Sequence, residues 1–162
     1  MAATSNLIST PTDHELVITR TFKAPRVLVW QAWTQQEHMA RWSCPTGFTM
    51  LFANGDLRVG GTWRAGMRSP EGAEYVMHGE YREIEEPQRL VFTHMWEADE
   101  IHIDHETLVT VQLKENDNHT TMTFTQANLA TASSRDGHAG GWSGAFDNLD
   151  ALLQELCVGE TL

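Results

Sequence analysis

The last part of the chain carries an apolar stripe with a helical period, and this stripe constrains the fold more than any other feature. Between Gly141 and Cys157 the large apolar side chains recur every three or four residues, as Trp142, Phe146, Leu149, Leu152, Leu153 and Leu156. This spacing places them on one face of an α-helix. Gly159 follows as a typical C-terminal stop. Because an apolar helix face must be covered by another layer, we expect a long C-terminal helix packed on a sheet.

Most of the preceding chain consists of strand patterns separated by short turns. In residues 15–22 the side chains of Leu16, Ile18 and Phe22 lie on one alternating face and those of Val17, Thr19 and Thr21 on the other. Six further segments rich in β-branched and aromatic residues lie between residues 47 and 126. Pro25 opens one short helix after the first strand, and Gln36–Trp42 forms a second. The pattern predicts an α+β fold in which a curved antiparallel seven-stranded sheet surrounds the long C-terminal helix.

The length of the chain is that of one domain. A chain of 162 residues can bury about 70 % of the surface that it exposes when unfolded. We expect a flexible N-terminal lead-in at residues 1–14, a single domain at residues 15–158 and a C-terminal tail at residues 159–162.

Charge and cysteine content restrict the partners and the compartment. The 22 acidic and 11 basic residues give a formal net charge of -11, which disfavours nucleic acids and anionic membranes as partners. No apolar run is long enough to cross a membrane, so we expect no membrane insertion. Cys44 and Cys157 lie far apart, a pattern that predicts no disulfide framework and favours the cytoplasm.

Several local motifs carry a resemblance to a known family. They occur in one order along the chain: Ile18-Thr19-Arg20, Ala24-Pro25-Arg26, Ala32-Trp33-Thr34, Arg41-Trp42, Asp56 to Arg64, Gly79-Glu80-Tyr81, Arg89 to Thr93, and Gly141-Trp142. Through them the chain resembles the bacterial family named for homology to the activator of the heat-shock protein 90 ATPase, within the START-like (SRPBCC) superfamily. The resemblance covers residues 15–156 and implies a helix-grip (START/Bet v-like) fold with an apolar cavity between the sheet and the C-terminal helix.

Strand alternation and the helical stripe predict which side chains line such a cavity. Large aromatic rings and flexible methionines suit a flat or apolar ligand. The alternative is that the same side chains fill a solid core, since periodicity is equal in both cases. The predicted lining comprises Trp63, Met67, Tyr75, Met77, Tyr81, Phe92, His94, Trp96, Phe124, Gln126, Trp142 and Phe146.

His94 is the single candidate for chemistry, because it shares a strand face with Phe92 and Trp96 and an imidazole can exchange protons near neutral pH. The alternative is a histidine satisfied by neighbouring polar groups. His138 lies in a glycine-rich segment, where we expect close approach of the backbone to the sheet or to a ligand. It would line the cavity mouth or cap a turn.

The acidic loop Glu97–Glu106 contains His102 and His105, but the spacing matches no familiar metal site. We therefore expect a solvated loop, no metal and no cofactor. Gly141–Gly144 does not supply the GxSxG motif of serine hydrolases.

Three functions follow from these patterns. The leading hypothesis is a domain that binds a small apolar, aromatic or lipid-like ligand and is not an enzyme. The first alternative is a cyclase or hydrolase that uses the same pocket, with His94 and either Tyr75 or Gln126 as proton donors and acceptors. The second is a module that binds a protein partner, either as a chaperone regulator or as a homodimer.

Overall fold

One antiparallel sheet and three helices make up the described part of the chain. The computed structural model describes residues 6–97 and 105–160. The elements are β1 (Asn6–Thr12), β2 (Glu15–Phe22), α1 (Arg26–Thr34), α2 (Gln36–Trp42), β3 (Thr49–Gly55), β4 (Thr62–Arg68), β5 (Glu74–Glu85), β6 (Arg89–Trp96), β7 (Thr107–Asn116), β8 (His119–Ala127) and α3 (Ala132–Glu160).

The strand order is β1-β2-β8-β7-β6-β5-β4-β3, and every neighbouring pair is antiparallel. Strands β3 to β8 therefore form a meander, and β2 joins it beside β8. Turn chemistry explains one of the hairpins: Asp117 and Asn118 both have positive φ, as a two-residue connection between β7 and β8 requires. The α+β class, the antiparallel sheet, the two short helices and the long C-terminal helix are all as predicted.

The N-terminal segment corrects the sequence-based count of seven strands. Residues 6–12, which the pattern assigns to a flexible lead-in, form β1 and pair with β2, so the sheet has eight strands. Every residue of β1 is exposed. Without a buried face there is no apolar alternation, and the strand is held by backbone pairing with β2 and by the hydrogen bond that Asn6 Oδ1 accepts from Arg20.

The C-terminal helix is longer than its apolar stripe. It begins at Ala132, where the Thr131 hydroxyl accepts a hydrogen bond from the Ser134 N–H, and it continues to Glu160. Gly159 is therefore not the stop that we expected, and the predicted tail is part of the helix as far as residue 160. No helix in residues 6–97 and 105–160 is both long enough and apolar enough to cross a membrane.

The glycines at the start of α3 do not approach the sheet. At Gly144, a β-carbon would lie 3.1 Å from the Thr46 backbone nitrogen. The absence of a side chain at Gly144 therefore lets the loop that follows α2 pack closely against the helix. Gly137 and Gly140 have open space around them. The close approach expected from the sequence is thus confined to a loop.

A buried arginine fastens α3 to the sheet. Arg20 on β2 is 4 % exposed and donates to Asn6 Oδ1 on β1 at 2.9 Å and to Asp147 Oδ1 on α3 at 2.8 Å. Its guanidinium also lies 5.9 Å from the Phe146 ring centre. These contacts hold one side of the helix over β2.

The core divides into two clusters. The main cluster lies between the sheet and α1 and α3, and aromatic rings fill the space below the middle of α3. Within it, Phe124 lies 4.6 Å from Trp142 and 5.2 Å from Phe146, ring centre to ring centre. A smaller cluster of Cys44, Ala65, Met67 and Met77 lies against β3, β4 and β5.

Candidate ligand-binding site

A small cavity lies between the two short helices and strands β3 to β6. Its volume is about 80 Å³. Its wall is mainly apolar and aromatic. The lining residues are Trp33, Thr34, Gln36, Met39, Ser43, Ala53, Asn54, Gly55, Leu57, Trp63, Arg64, Ala65, Met77, Tyr81, Leu90, Phe92, His94 and Trp142.

Six of the predicted lining residues line this cavity: Trp63, Met77, Tyr81, Phe92, His94 and Trp142. The other six lie elsewhere. Met67, Tyr75 and Trp96 belong to the smaller cluster. Phe124, Phe146 and Gln126 are completely buried below α3. Strand alternation predicted the face of each side chain, but it cannot distinguish a cavity wall from a filled core.

The cavity is displaced from the position that we expected. Trp142 is the one residue of α3 in its wall, and most of the wall comes from α1, α2 and the strands opposite them. The reason is that the Trp33 ring, 6.1 Å from Phe146 and 6.4 Å from Phe124, helps to fill the space below α3.

The sequence patterns missed the α1 and α2 side of the wall. Trp33 carried a signal only as part of the family motif Ala32-Trp33-Thr34, and Met39 carried no distinct signal. The mouth residues Thr34, Gln36 and Leu57 come from helix ends and a loop, where no periodicity operates.

Gly79 makes room for the ring of Trp63. A β-carbon on Gly79 would lie 1.8 Å from the Thr93 carbonyl oxygen and 2.6 Å from Trp63 Nε1. At this gap the ring of Trp63 on β4 passes over β5, and its Nε1 donates to the Thr93 carbonyl oxygen on β6 at 3.1 Å. The Glu80 N–H donates to the Thr93 hydroxyl at 2.8 Å. These bonds fix the indole in the cavity wall.

A buried polar chain positions Trp142. Its Nε1 donates to Gln126 Oε1 at 2.9 Å, Gln126 Nε2 donates to the Thr107 hydroxyl at 2.9 Å, and that hydroxyl donates to the His94 carbonyl at 2.9 Å. Every side chain in this series of hydrogen bonds has a partner. Both polar atoms of the Gln126 amide are engaged, and this amide orients the indole of Trp142.

His94 is buried among aromatic rings, and its ring centre lies 5.7 Å from Trp63, 5.3 Å from Trp96 and 6.1 Å from both Trp142 and His138. Burial, reinforced by the nearby His138, lowers the pKa of His94 to about 3. At neutral pH the ring is therefore uncharged, and it does not titrate there as the sequence suggested.

His138 lies inside α3 and contacts the same rings. Its Nδ1 donates to the Ser134 carbonyl oxygen at 2.7 Å, and its Nε2 accepts from Trp96 Nε1 at 3.1 Å. This pair of bonds selects the tautomer with the proton on Nδ1. His138 thus joins α3 to β6 instead of lining the mouth or capping a turn.

The buried imidazole makes stability depend on pH. The pKa of His94 falls from its ordinary value of 6.5 to about 3 on folding, so between these values only the unfolded chain binds the proton. The contribution of the uncharged His94 ring to the free energy of unfolding is therefore complete above pH 6.5 and decreases as the pH falls. Between pH 7 and pH 5 we expect wild type to lose about 2 kcal/mol from this group. Urea unfolding should show a shallower pH dependence for His94→Phe, and equal slopes would contradict the burial of an uncharged ring.

The mouth of the cavity is crossed by a hydrogen bond. Gln36 Nε2, at the start of α2, donates to the Gly55 carbonyl at the end of β3 at 3.0 Å, and both groups are exposed. Outside it, Arg64 forms two hydrogen bonds with Glu97 at 2.6 and 2.9 Å, which lower the pKa of the Glu97 carboxyl. Arg64 is therefore paired with Glu97 at the edge of the cavity.

No group of three or more potential metal ligands occurs within the described ranges 6–97 and 105–160. Residues 98–104, which hold most of the acidic loop including His102, lie outside those ranges. His105 is described, and its Nε2 lies 2.5 Å from the Asn128 carbonyl oxygen.

The fold matches solved structures of bacterial proteins. A protein from Rhodobacter sphaeroides is 25 % identical, with a TM-score of 0.79 over 94 % of this chain and 99 % of that one. A protein from Nitrosomonas europaea is 22 % identical, with a TM-score of 0.77 over 92 % and 99 %. One from Silicibacter pomeroyi is 21 % identical, with a TM-score of 0.76 over 90 % and 99 %. No curated protein matches the chain.

The sequence also matches a family profile over most of its length. The profile describes Activator of Hsp90 ATPase homolog 1-like protein and covers residues 23–154. These residues include both short helices, β3 to β8 and most of α3. The chain therefore belongs to the Activator of Hsp90 ATPase homolog 1-like family of START-like proteins.

Proposed function

We propose that the protein binds a small, mainly apolar ring compound in the cavity between α1, α2 and strands β3 to β6. The observation that carries the proposal is the wall itself: the rings of Trp33, Trp63, Phe92 and Trp142 surround a space left by the core. Aromatic walls with few polar groups are typical of small-molecule sites.

The volume restricts the class of ligand. At about 80 Å³, the space lies well below the roughly 300–1,000 Å³ of pockets that hold drug-sized ligands. A single ring with one small substituent is the largest ligand that this space admits, with the substituent directed towards the exposed mouth, whereas a lipid chain requires the aromatic rings to move apart. Among the apolar, aromatic and lipid-like ligands predicted from the sequence, the proposal therefore takes the single-ring aromatic compounds.

The wall favours binding over catalysis. His94 is uncharged at neutral pH because its pKa is about 3, and Gln126 is held by Trp142 and Thr107. We propose a cytoplasmic location because two cysteines far apart in the sequence do not indicate a disulfide framework. A homodimer and a chaperone partner stay predictions from the sequence and its resemblance.

Thermal unfolding with toluene tests the proposal. At a toluene concentration ten times its Kd, we expect the midpoint to rise by about 4 °C, because the ligand binds only the folded state. Palmitate should produce no comparable rise. A midpoint that does not respond to toluene at its solubility limit would contradict the proposal.

A variant that fills the cavity provides the matched control. Ala65 lines the cavity and is 8 % exposed, so Ala65→Leu places a larger side chain in that space. We expect toluene binding to weaken at least tenfold while stability changes by about 1 kcal/mol. Val76 on β5 precedes the cavity residue Met77, so its side chain points to the opposite sheet face. Val76→Leu should leave toluene binding unchanged.

A further inference from the structure

The three hydroxyl groups in the cavity wall differ in their hydrogen bonds. The Thr34 hydroxyl donates to the Trp30 carbonyl at 2.8 Å, and the Ser43 hydroxyl donates to the Met39 carbonyl at 2.6 Å. The Tyr81 hydroxyl makes no hydrogen bond within the part of the chain that the structure describes. Its proton and its lone pairs are therefore both available to a ligand.

The Tyr81 oxygen can be reached from outside the core. Among the described residues, the unpaired polar side-chain atoms that are closed to solvent are Trp33 Nε1, His78 Nδ1 and Ser143 Oγ. The Tyr81 oxygen is not one of them, and the residue is half-buried. Solvent or a ligand therefore has access to this oxygen.

The hydroxyl lies on the cavity face of the sheet, at the mouth. A β-carbon on Gly55 would lie 3.3 Å from Trp63 Cβ and 3.4 Å from the Tyr81 oxygen. The oxygen is therefore on the same sheet face as the Trp63 side chain, and all three residues line the cavity. The Gly55 carbonyl also accepts the Gln36 hydrogen bond that crosses the mouth. Because residue 55 has no side chain, the space beside the Tyr81 oxygen stays open.

The backbone of Tyr81 is fixed on both sides. Its N–H donates to the Gly61 carbonyl at 2.9 Å, and its carbonyl accepts from the Gly60 N–H at 2.8 Å. The Tyr81 ring packs edge-on against Phe92, with ring centres 6.3 Å apart. The hydroxyl is thus held in place before a ligand binds, which lowers the entropic cost of bonding to it.

Charge at the mouth favours an uncharged ligand. Burial raises the pKa of the Tyr81 hydroxyl, so this group keeps its proton and can donate it. Arg64 lies at the edge of the cavity, but its guanidinium is bound to Glu97 at 2.6 Å. A carboxylate on the ligand would lose hydration here and meet no unpaired cation among the described wall residues.

We propose that Tyr81 determines the specificity of the cavity, because its hydroxyl binds an uncharged oxygen substituent on the ligand ring at the mouth. The inference rests on the proposed function and narrows its ligand class to phenols and similar single-ring compounds with an oxygen at one end. A plain hydrocarbon ring would instead cover the Tyr81 hydroxyl without bonding to it, which is unfavourable.

Titration calorimetry with phenol and toluene tests the inference in wild type and in Tyr81→Phe, which removes one oxygen atom. We expect phenol to bind this variant about fivefold more weakly than it binds wild type, because one hydrogen bond is lost. The Kd of toluene should stay within about twofold of the wild-type value. Each compound is compared with itself across the two proteins, so its transfer from water does not affect the result.

Tyr75→Phe is the matched control. Tyr75 is the other tyrosine of the chain and packs against the smaller cluster, outside the cavity wall. Its variant should bind both compounds as wild type does. Unchanged phenol binding in Tyr81→Phe, an equal loss of toluene binding there, or an equal loss of phenol binding in Tyr75→Phe would overturn the inference and leave the proposed function standing. Tighter binding of benzoate than of phenol would overturn the uncharged class. If wild type binds neither phenol nor toluene, the proposed function itself is rejected.

Discussion

Replacing Gly79 with alanine is expected to lower the free energy of unfolding by about 3 kcal/mol or more. The added β-carbon would lie 1.8 Å from the Thr93 carbonyl oxygen, which is backbone and cannot rotate away. Relief requires β5 and β6 to separate, and that movement would break the hydrogen bond from Trp63 Nε1 to Thr93. Urea unfolding of the purified variant measures the loss, and the fluorescence of Trp63 should change with it.

The same substitution at Gly140 is the matched control, and its sign should be opposite. Gly140 lies inside α3, and a β-carbon there meets no atom within 4 Å. Gly140→Ala should therefore raise the free energy of unfolding by about 1 kcal/mol, because alanine favours the helix. If Gly79→Ala were as stable as wild type, the account of how the cavity wall is built would be wrong.

Replacing Trp142 with alanine should cost about 3 kcal/mol and create a larger cavity below α3. The indole contacts the rings of Trp33, Phe124 and Phe146, and its N–H is the group that satisfies Gln126 Oε1. Trp142→Phe keeps a ring but loses the N–H, and its cost should be about 1–2 kcal/mol. Chemical denaturation of the two variants separates the contribution of packing from that of the hydrogen bond.

Free indole should restore part of the lost stability. The space left in Trp142→Ala matches the removed side chain, so indole should raise the unfolding midpoint of this variant more than that of wild type. Phe22→Ala is the control, because Phe22 is completely buried and lies outside the cavity wall. Its variant loses only a phenyl group, and indole does not fit that space. Equal responses of the two variants would show that indole does not enter the Trp142 site.

Sequence patterns predict this fold well where one face of an element is buried. The alternation in β2 is complete, since each second residue from Leu16 to Phe22 is buried, and the α3 stripe is confirmed by the burial of Phe146, Leu149 and Leu153. Strand β1 has no buried face and the first turns of α3 have few large apolar residues. The patterns therefore predicted a flexible lead-in where β1 lies, because that strand depends on backbone pairing. They also placed the start of α3 too late, because its first turns depend on the cap at Thr131.

The candidate site is less predictable for a physical reason. Periodicity gives the direction of a side chain, and it placed Trp63, Phe92 and His94 on the correct face. It does not show whether the facing space is filled, and here Phe124 and Phe146 fill the part that we expected to be open. The position of the Trp33 ring depends on its contacts with five other aromatic rings, and no local pattern encodes these contacts.

The most direct test is a set of nuclear Overhauser contacts between bound toluene and the protein side chains. We expect contacts from the toluene protons to Trp63, Phe92 and Trp142 in wild type, and their disappearance in Ala65→Leu. Contacts confined to exposed apolar residues such as Leu7 and Val59, or contacts that persist in Ala65→Leu, would contradict the claim that this cavity receives a ligand.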